Sequence, residues 1–199
     1  MSLLSLRAFA LLICAFFIAP AAAAAQSTGG SVYVAPPPVK AGNLTVPGTQ
    51  AKLLPDGTAA APASAPRPVQ EAIWAANRIQ NKPYKYGGGH AKIEDAGYDC
   101  SGTVSYALYH AGLLKSPLPS GPFMRWGAKG PGRWITVYAH GGHAYAIIAG
   151  LRLDTSVGSY SARRATRRKI ARSAFERGPR WRPMPRSAQG FAKRHPVGL

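Results

Sequence analysis

Apolar residues recur at helical spacing in two stretches of the chain. Val69, Ile73, Ala76 and Ile79 fall at i, i+4, i+7 and i+10, one face of an amphipathic helix whose first turn suits Pro68 and whose continuation Pro83 bars. Val104, Leu108 and Ala111 fall at i, i+4 and i+7, and Gly112 reads as the C-terminal stop of a second helix over residues 101–111. Alternation takes over further on. Trp134, Thr136 and Tyr138 share one face of a strand over residues 133–139, with Ile135 and Val137 on the other. His140-Gly141-Gly142 then turns the chain into a short apolar strand that begins at His143. Residues 144–149 and 151–155 read as a hairpin. On this pattern the folded part begins near Val69.

The remaining stretches lack such periodicity. Residues 26–68 carry Pro36-Pro37-Pro38, Pro47, Pro55, Pro62, Pro66 and Pro68 among Ala, Gly and Thr, the composition of an extended, disordered linker. The run Ser31-Val32-Tyr33-Val34 is strand-like in isolation, with nothing nearby to cover it. Residues 115–132 form a long loop rich in Pro and Gly, in which Phe123, Met124 and Trp126 either line a cleft or anchor the loop to the core. Residues 160–199 form an arginine-rich extension of the domain, read either as a basic helix over residues 162–175 on an anionic surface or as a solvated tail. At the other end, Arg7 and the apolar run after it, too short to span a membrane, lead to Pro20 and Ala21, the pattern of a cleaved export signal over residues 1–25. A lipoprotein signal at Cys14 does not fit, because the residue before it is the large Ile13.

Composition changes this picture in two ways. The formal net charge is +18, which draws the chain to polyanions. With export, the expected partner is an anionic envelope polymer or membrane surface, in the periplasm or extracellular envelope, and no nucleic acid is expected. The chain has two cysteines, and removal of the signal leaves Cys100 alone, unable to form an internal disulfide.

Cys100 stands just before the second helix, where free N–H groups and the helix dipole favour a thiolate. A nucleophilic cysteine needs a base and a group to orient it. His143, at the first residue of its strand, is the candidate base, and Asp154 returns beside it if the hairpin pairs. His140 sits in the turn, where a base is poorly held. The His140/His143 spacing lacks the further ligands of a metal shell, so neither metal nor cofactor is expected. The backbone N–H of Cys100 is a natural oxyanion donor, and the Tyr98 hydroxyl is a candidate second one.

Tyr98-Asp99-Cys100-Ser101-Gly102, followed by Gly142-His143 and an apolar strand and preceded by Pro83-Tyr84-Lys85-Tyr86-Gly87-Gly88, resembles the NlpC/P60 family of cell-wall cysteine peptidases over roughly residues 69–156. The resemblance implies a papain-like α+β fold, with a cysteine-bearing helix packed on an antiparallel sheet that carries the histidine. It implies peptidoglycan stem peptides as substrate, cut after γ-D-glutamate through a Cys-His-Asp thioester mechanism. It also implies that Asp99 and Ser101, flanking the cysteine, help bind the free amine of the stem peptide. The family's third residue is often histidine, where this chain offers Asp154. Two other readings stay open at this point: a non-catalytic basic envelope-binding protein, and an amidase or acyltransferase on the same fold.

Overall fold

The computed structural model describes residues 43–156, 178–182 and 186–199. The expected export signal, the strand-like run 31–34 and the basic helix over 162–175 lie outside them. The described chain is of the α+β class: three helices and nine short strands, most of the strands in one antiparallel sheet.

Helix α1 (Arg67–Arg78) starts on Pro66 and buries Val69, Ala72, Ile73 and Ala76. Helix α2 (Cys100–His110) is different in kind, because every residue from Cys100 to Leu108 is buried. Such a helix lies inside the molecule, with α1 on one side and the sheet on the other. Its polar residues are satisfied locally. The Thr103 hydroxyl donates to the Asp99 carbonyl at 2.7 Å, and the Ser105 hydroxyl accepts the Leu118 amide at 3.0 Å. The short α3 (Ser120–Phe123) follows.

The sheet is built on the two hairpins expected from the pattern. β5 (Ile135–His140) pairs with β6 (His143–Ile148) across Gly141-Gly142, and β6 pairs with β7 (Leu151–Asp154) across Ala149-Gly150. Both residues of the second turn have positive φ, 46° and 86°, the backbone of a tight hairpin whose twist matches its strands. β8 (Arg180–Arg182) adds to β7, β9 (Ala192–His195) adds to β5, and β4 (Ala128–Lys129) caps the edge, giving the order β4-β9-β5-β6-β7-β8. The described part of the basic extension therefore adds two strands to the sheet, flanking the hairpins on both sides, and is not a solvated tail.

The folded part also begins earlier than Val69. Residues 43–66, expected as linker, carry β1 (Thr45–Val46), β2 (Lys52–Leu53) and β3 (Ala59–Pro62) in a small sheet of order β1-β3-β2. Ala59, Ala60 and Ala61 are at most 2% exposed. Their small side chains let the strand lie directly against α1, a mode of burial that leaves no large apolar residue for a periodicity search to find. Asn77 fixes the contact. Its side chain accepts the Ala59 amide at 2.9 Å, donates to the Ala59 carbonyl at 2.8 Å, and accepts Trp181 Nε1 at 2.8 Å. Asn77→Ala leaves these three buried groups without partners and is expected to destabilise the fold by about 3 kcal/mol or more. Denaturant unfolding checks this, and a loss below about 1 kcal/mol would show that the three bonds do not hold the arm to the domain.

Candidate active site

The stretch ahead of α2 explains where Cys100 stands. Asp99 is extended (φ −85°, ψ −174°), and its Oδ1 accepts the Gly102 amide at 2.7 Å, a side-chain N-cap. Cys100 is consequently the first helical residue, at the end with unpaired N–H groups and partial positive charge. The glycine that closes Asp-Cys-Ser-Gly has a packing reason. A Cβ on Gly102 would collide with the carbonyl of Gly88, so only glycine lets the loop at 87–90 lie against the first turn.

The sheet supplies the other two groups. His143 opens β6, opposite His140 in the register, and Asp154 closes β7. His143 Nε2 lies 3.0 Å from Asp154 Oδ1. An ionised carboxylate only accepts, so Nε2 carries the proton in this pair and Nδ1 is the nitrogen left for Cys100. The His143 ring and the Ala144 amide lie close enough to the thiol to favour its ionised form. Ser120 Oγ, at the start of α3, lies 3.7 Å from Sγ.

The electrostatics follow from this geometry. Burial opposes the charged form of His143, but the hydrogen bonds to Asp154 and then to Cys100, with their charges, win and raise it to about 9. Burial pushes the Cys100 thiol up, and the hydrogen bond and charge of His143 bring it below its usual value. Asp154, with a fully buried side chain, is likewise opposed by burial, yet the bond and charge of His143 and the Ser156 amide hold it low. Both shifts run in the direction of a thiolate–imidazolium pair.

The structure brings Cys100, His143 and Asp154 together and separates them from Tyr98. The Tyr98 side chain is fully buried, and its hydroxyl donates to the Ile93 carbonyl at 2.9 Å and accepts the Asp95 amide at 3.0 Å. That hydroxyl is committed to the loop before the motif and is not an oxyanion donor. Asp99 and Ser101 adjoin Cys100 in the chain. Their side chains meet each other (3.2 Å) and His90 Nε2 (3.1 Å to each), and Asp99 Oδ2 accepts the Gly87 amide at 3.1 Å. His140 ends β5, with Nδ1 accepting the Gly142 amide at 3.0 Å and its ring 4.4 Å from that of Phe191. Phe123 is fully buried and Trp126 meets it edge-on at 5.8 Å, so these residues anchor the loop at 115–132 to the core.

Sequence reasoning missed four neighbours of the site. Ser120 and His90 are reached only through the fold, from a loop and a glycine turn without distinguishing pattern. Arg186 and Phe191 were hidden in the basic extension. Arg186 Nη1 lies 3.2 Å from Asp154 Oδ2 and 3.3 Å from His143 Nε2, and also contacts the Ser156 hydroxyl. Phe191 packs beside His143 and Tyr145, with ring centroids at 6.3 and 5.2 Å. Among the described residues no group of His, Cys, Asp and Glu gathers in the number a metal ion needs.

No protein-family model, no curated protein and no solved structure matches this chain.

Proposed function

We infer that the protein is an exported cysteine peptidase of the NlpC/P60 kind, with a papain-like arrangement of helix and sheet, hydrolysing amide bonds in peptidoglycan stem peptides after γ-D-glutamate. The observation that carries this reading is the buried chain of contacts from Cys100 at the head of α2 through His143 to Asp154. The motif that resembles the family contributes its cysteine and its histidine to that one chain. A mere envelope-binding protein has no use for a lowered thiol beside a raised imidazole.

The chemistry is acyl transfer to water. The Cys100 thiolate attacks the amide carbonyl, forming a C–S bond, and the oxyanion is met by the first-turn N–H of Cys100. The His143 imidazolium gives its proton to the leaving amine as the C–N bond breaks. Neutral His143 then takes a proton from water, whose oxygen attacks the thioester and expels the thiolate. Asp154 keeps Nε2–H engaged throughout, so the ring presents Nδ1 to the reaction. Asp99 and Ser101, next to the nucleophile in the chain and in contact with His90, would receive the amine of the stem peptide. The formal charge of +18 suits an acidic wall polymer as the surface on which the enzyme works.

Purified peptidoglycan and a soluble L-Ala-γ-D-Glu-containing stem peptide, digested and read by mass, test this reading. Fragments ending in γ-D-glutamate support it. Intact peptides from a folded protein with a titratable thiol would overturn it, and products capped by an added amine would reassign it to transfer. The pH dependence has a stated sign. The imidazolium is required, and His143 is raised to about 9, so kcat/KM should hold through neutral pH and fall as pH rises past that region. An alkaline limb starting near the ordinary histidine value would contradict the Asp154 contact.

A further inference from the structure

The basic extension reaches the site through one guanidinium. Arg186 Nη1 touches Asp154 Oδ2 (3.2 Å), the Ser156 hydroxyl and His143 Nε2 (3.3 Å). Its guanidinium lies over the rings of Tyr145 and Phe191, 5.5 and 5.3 Å from their centroids. Two aromatic faces and three polar contacts leave the side chain 19% exposed and fixed in place. The contact with Nε2 is not a hydrogen bond in the reactive form. Nε2–H already points at Asp154 Oδ1, so the guanidinium and the imidazolium meet as like charges with the carboxylate bridging them, Oδ1 to the ring and Oδ2 to the arginine.

We propose that Arg186 is a positioning residue of the site that acts through its charge on Asp154 and His143: the guanidinium sets the thiolate–imidazolium pair at a lower pH than Asp154 alone would give. The proposal rests on the thiolate–imidazolium reading of the site. Among the described residues, the charged and titratable groups packed at the ring or at its carboxylate partner are Cys100 from α2, His140 from β5, Tyr145 from β6, Asp154 and, through Asp154, Arg152 from β7, and Arg186. Arg152 Nη1 lies 3.7 Å from Asp154 Oδ2, so one carboxylate answers two guanidiniums and the imidazolium. The surplus charge is positive. A positive neighbour disfavours the imidazolium and favours the thiolate, which lowers both proton equilibria together.

That common direction separates a charge role from a structural one. The probe is the rate of Cys100 alkylation by iodoacetamide across pH, which needs no peptide substrate. In the wild-type protein it should show two limbs, one as the thiolate forms and one as the imidazolium deprotonates. Arg186→Gln should move both limbs to higher pH, by about one unit for His143 and less for the more distant Cys100. Arg186→Lys restores a cation, and should return both limbs towards their wild-type positions. Loss of a merely structural prop would loosen the ring from Asp154, so the thiol limb would rise while the histidine limb fell. Converging limbs in the Gln variant, or a profile that superimposes on wild type, would overturn the proposal. If the Gln variant does not fold, the Lys variant decides: limbs shared with wild type support a charge role, and converging limbs refute it. A wild-type thiol with a single limb at an ordinary cysteine pH would sink the site's thiolate reading, and Arg186's role with it, which distinguishes that failure from a wild type with two limbs that the variant leaves unmoved.

Discussion

Cys100→Ala should abolish cleavage of stem peptides, with kcat lowered by on the order of 10⁴-fold or more, while the folded state survives. The size of the loss follows from the mechanism. Nothing else in the site can form the acyl intermediate, and the imidazole and oxyanion donor that remain give only the residual catalysis of a site without its nucleophile. The fold should survive because the thiol contributes little to the core. It is 9% exposed, at the edge of the buried cluster, and its contact with Ser120 is 3.7 Å long. A melting temperature within a few degrees of wild type is expected, since no large cavity and no orphaned strong donor results. Cys100→Ser should be nearly as inactive, because a hydroxyl at this position does not ionise beside an imidazolium. Activity retained by either variant would dismiss the thioester mechanism, and with it the role given to His143.

The parts of this site that could be read from sequence were those written in local chemistry. Asp99-Cys100-Ser101-Gly102 announces a helix start, because the cap is a property of neighbouring residues; the close approach at Gly102 is to Gly88 and shows only in the fold. Gly141-Gly142-His143 announces the first hairpin for the same reason, and the register of the second, β6 with β7, carries Asp154 back towards His143. Tyr98 was misread because its place beside the cysteine in sequence says nothing about where a hydroxyl at the end of a long ring goes. The loop at 93–95 had a backbone donor and acceptor to satisfy, and took it. Residues 43–66 were misread because their burial depends on smallness: three alanines under α1 and one asparagine clamp have no periodic signature. Arg186 was unreadable for a third reason. In the sequence it is one cation in a run of cations, and only the pairing of β8 with β7 and β9 with β5 brings the chain on either side of it to the two flanks of the His143 strand.

The same pairing sets the second large effect expected. Deleting residues 178–199 should give a chain without a cooperative unfolding transition and without activity on even a small soluble peptide. The deletion removes both strands that flank the hairpins, leaving the ladder groups of β5 and β7 open to water or to other chains. It removes Trp181, 5% exposed, whose backbone amide donates to Gln80 Oε1 at 2.8 Å and whose Nε1 donates to Asn77 Oδ1 at 2.8 Å. Burial of an indole of this kind contributes about 4–6 kcal/mol by area alone, a large share of the stability of any domain this size. It also removes Phe191 and Arg186 from the walls of the His143 ring. A tail that served only to bind anionic wall polymers would behave in the opposite way: its loss would weaken wall binding at low salt and spare the catalytic domain. Trp181→Ala is the graded version, expected to cost about 3–5 kcal/mol while leaving every arginine in place. A truncated chain that melts as wild type and still cleaves the soluble peptide would show that the sheet stands without its outer strands. The extension would then return to being a separate binding segment.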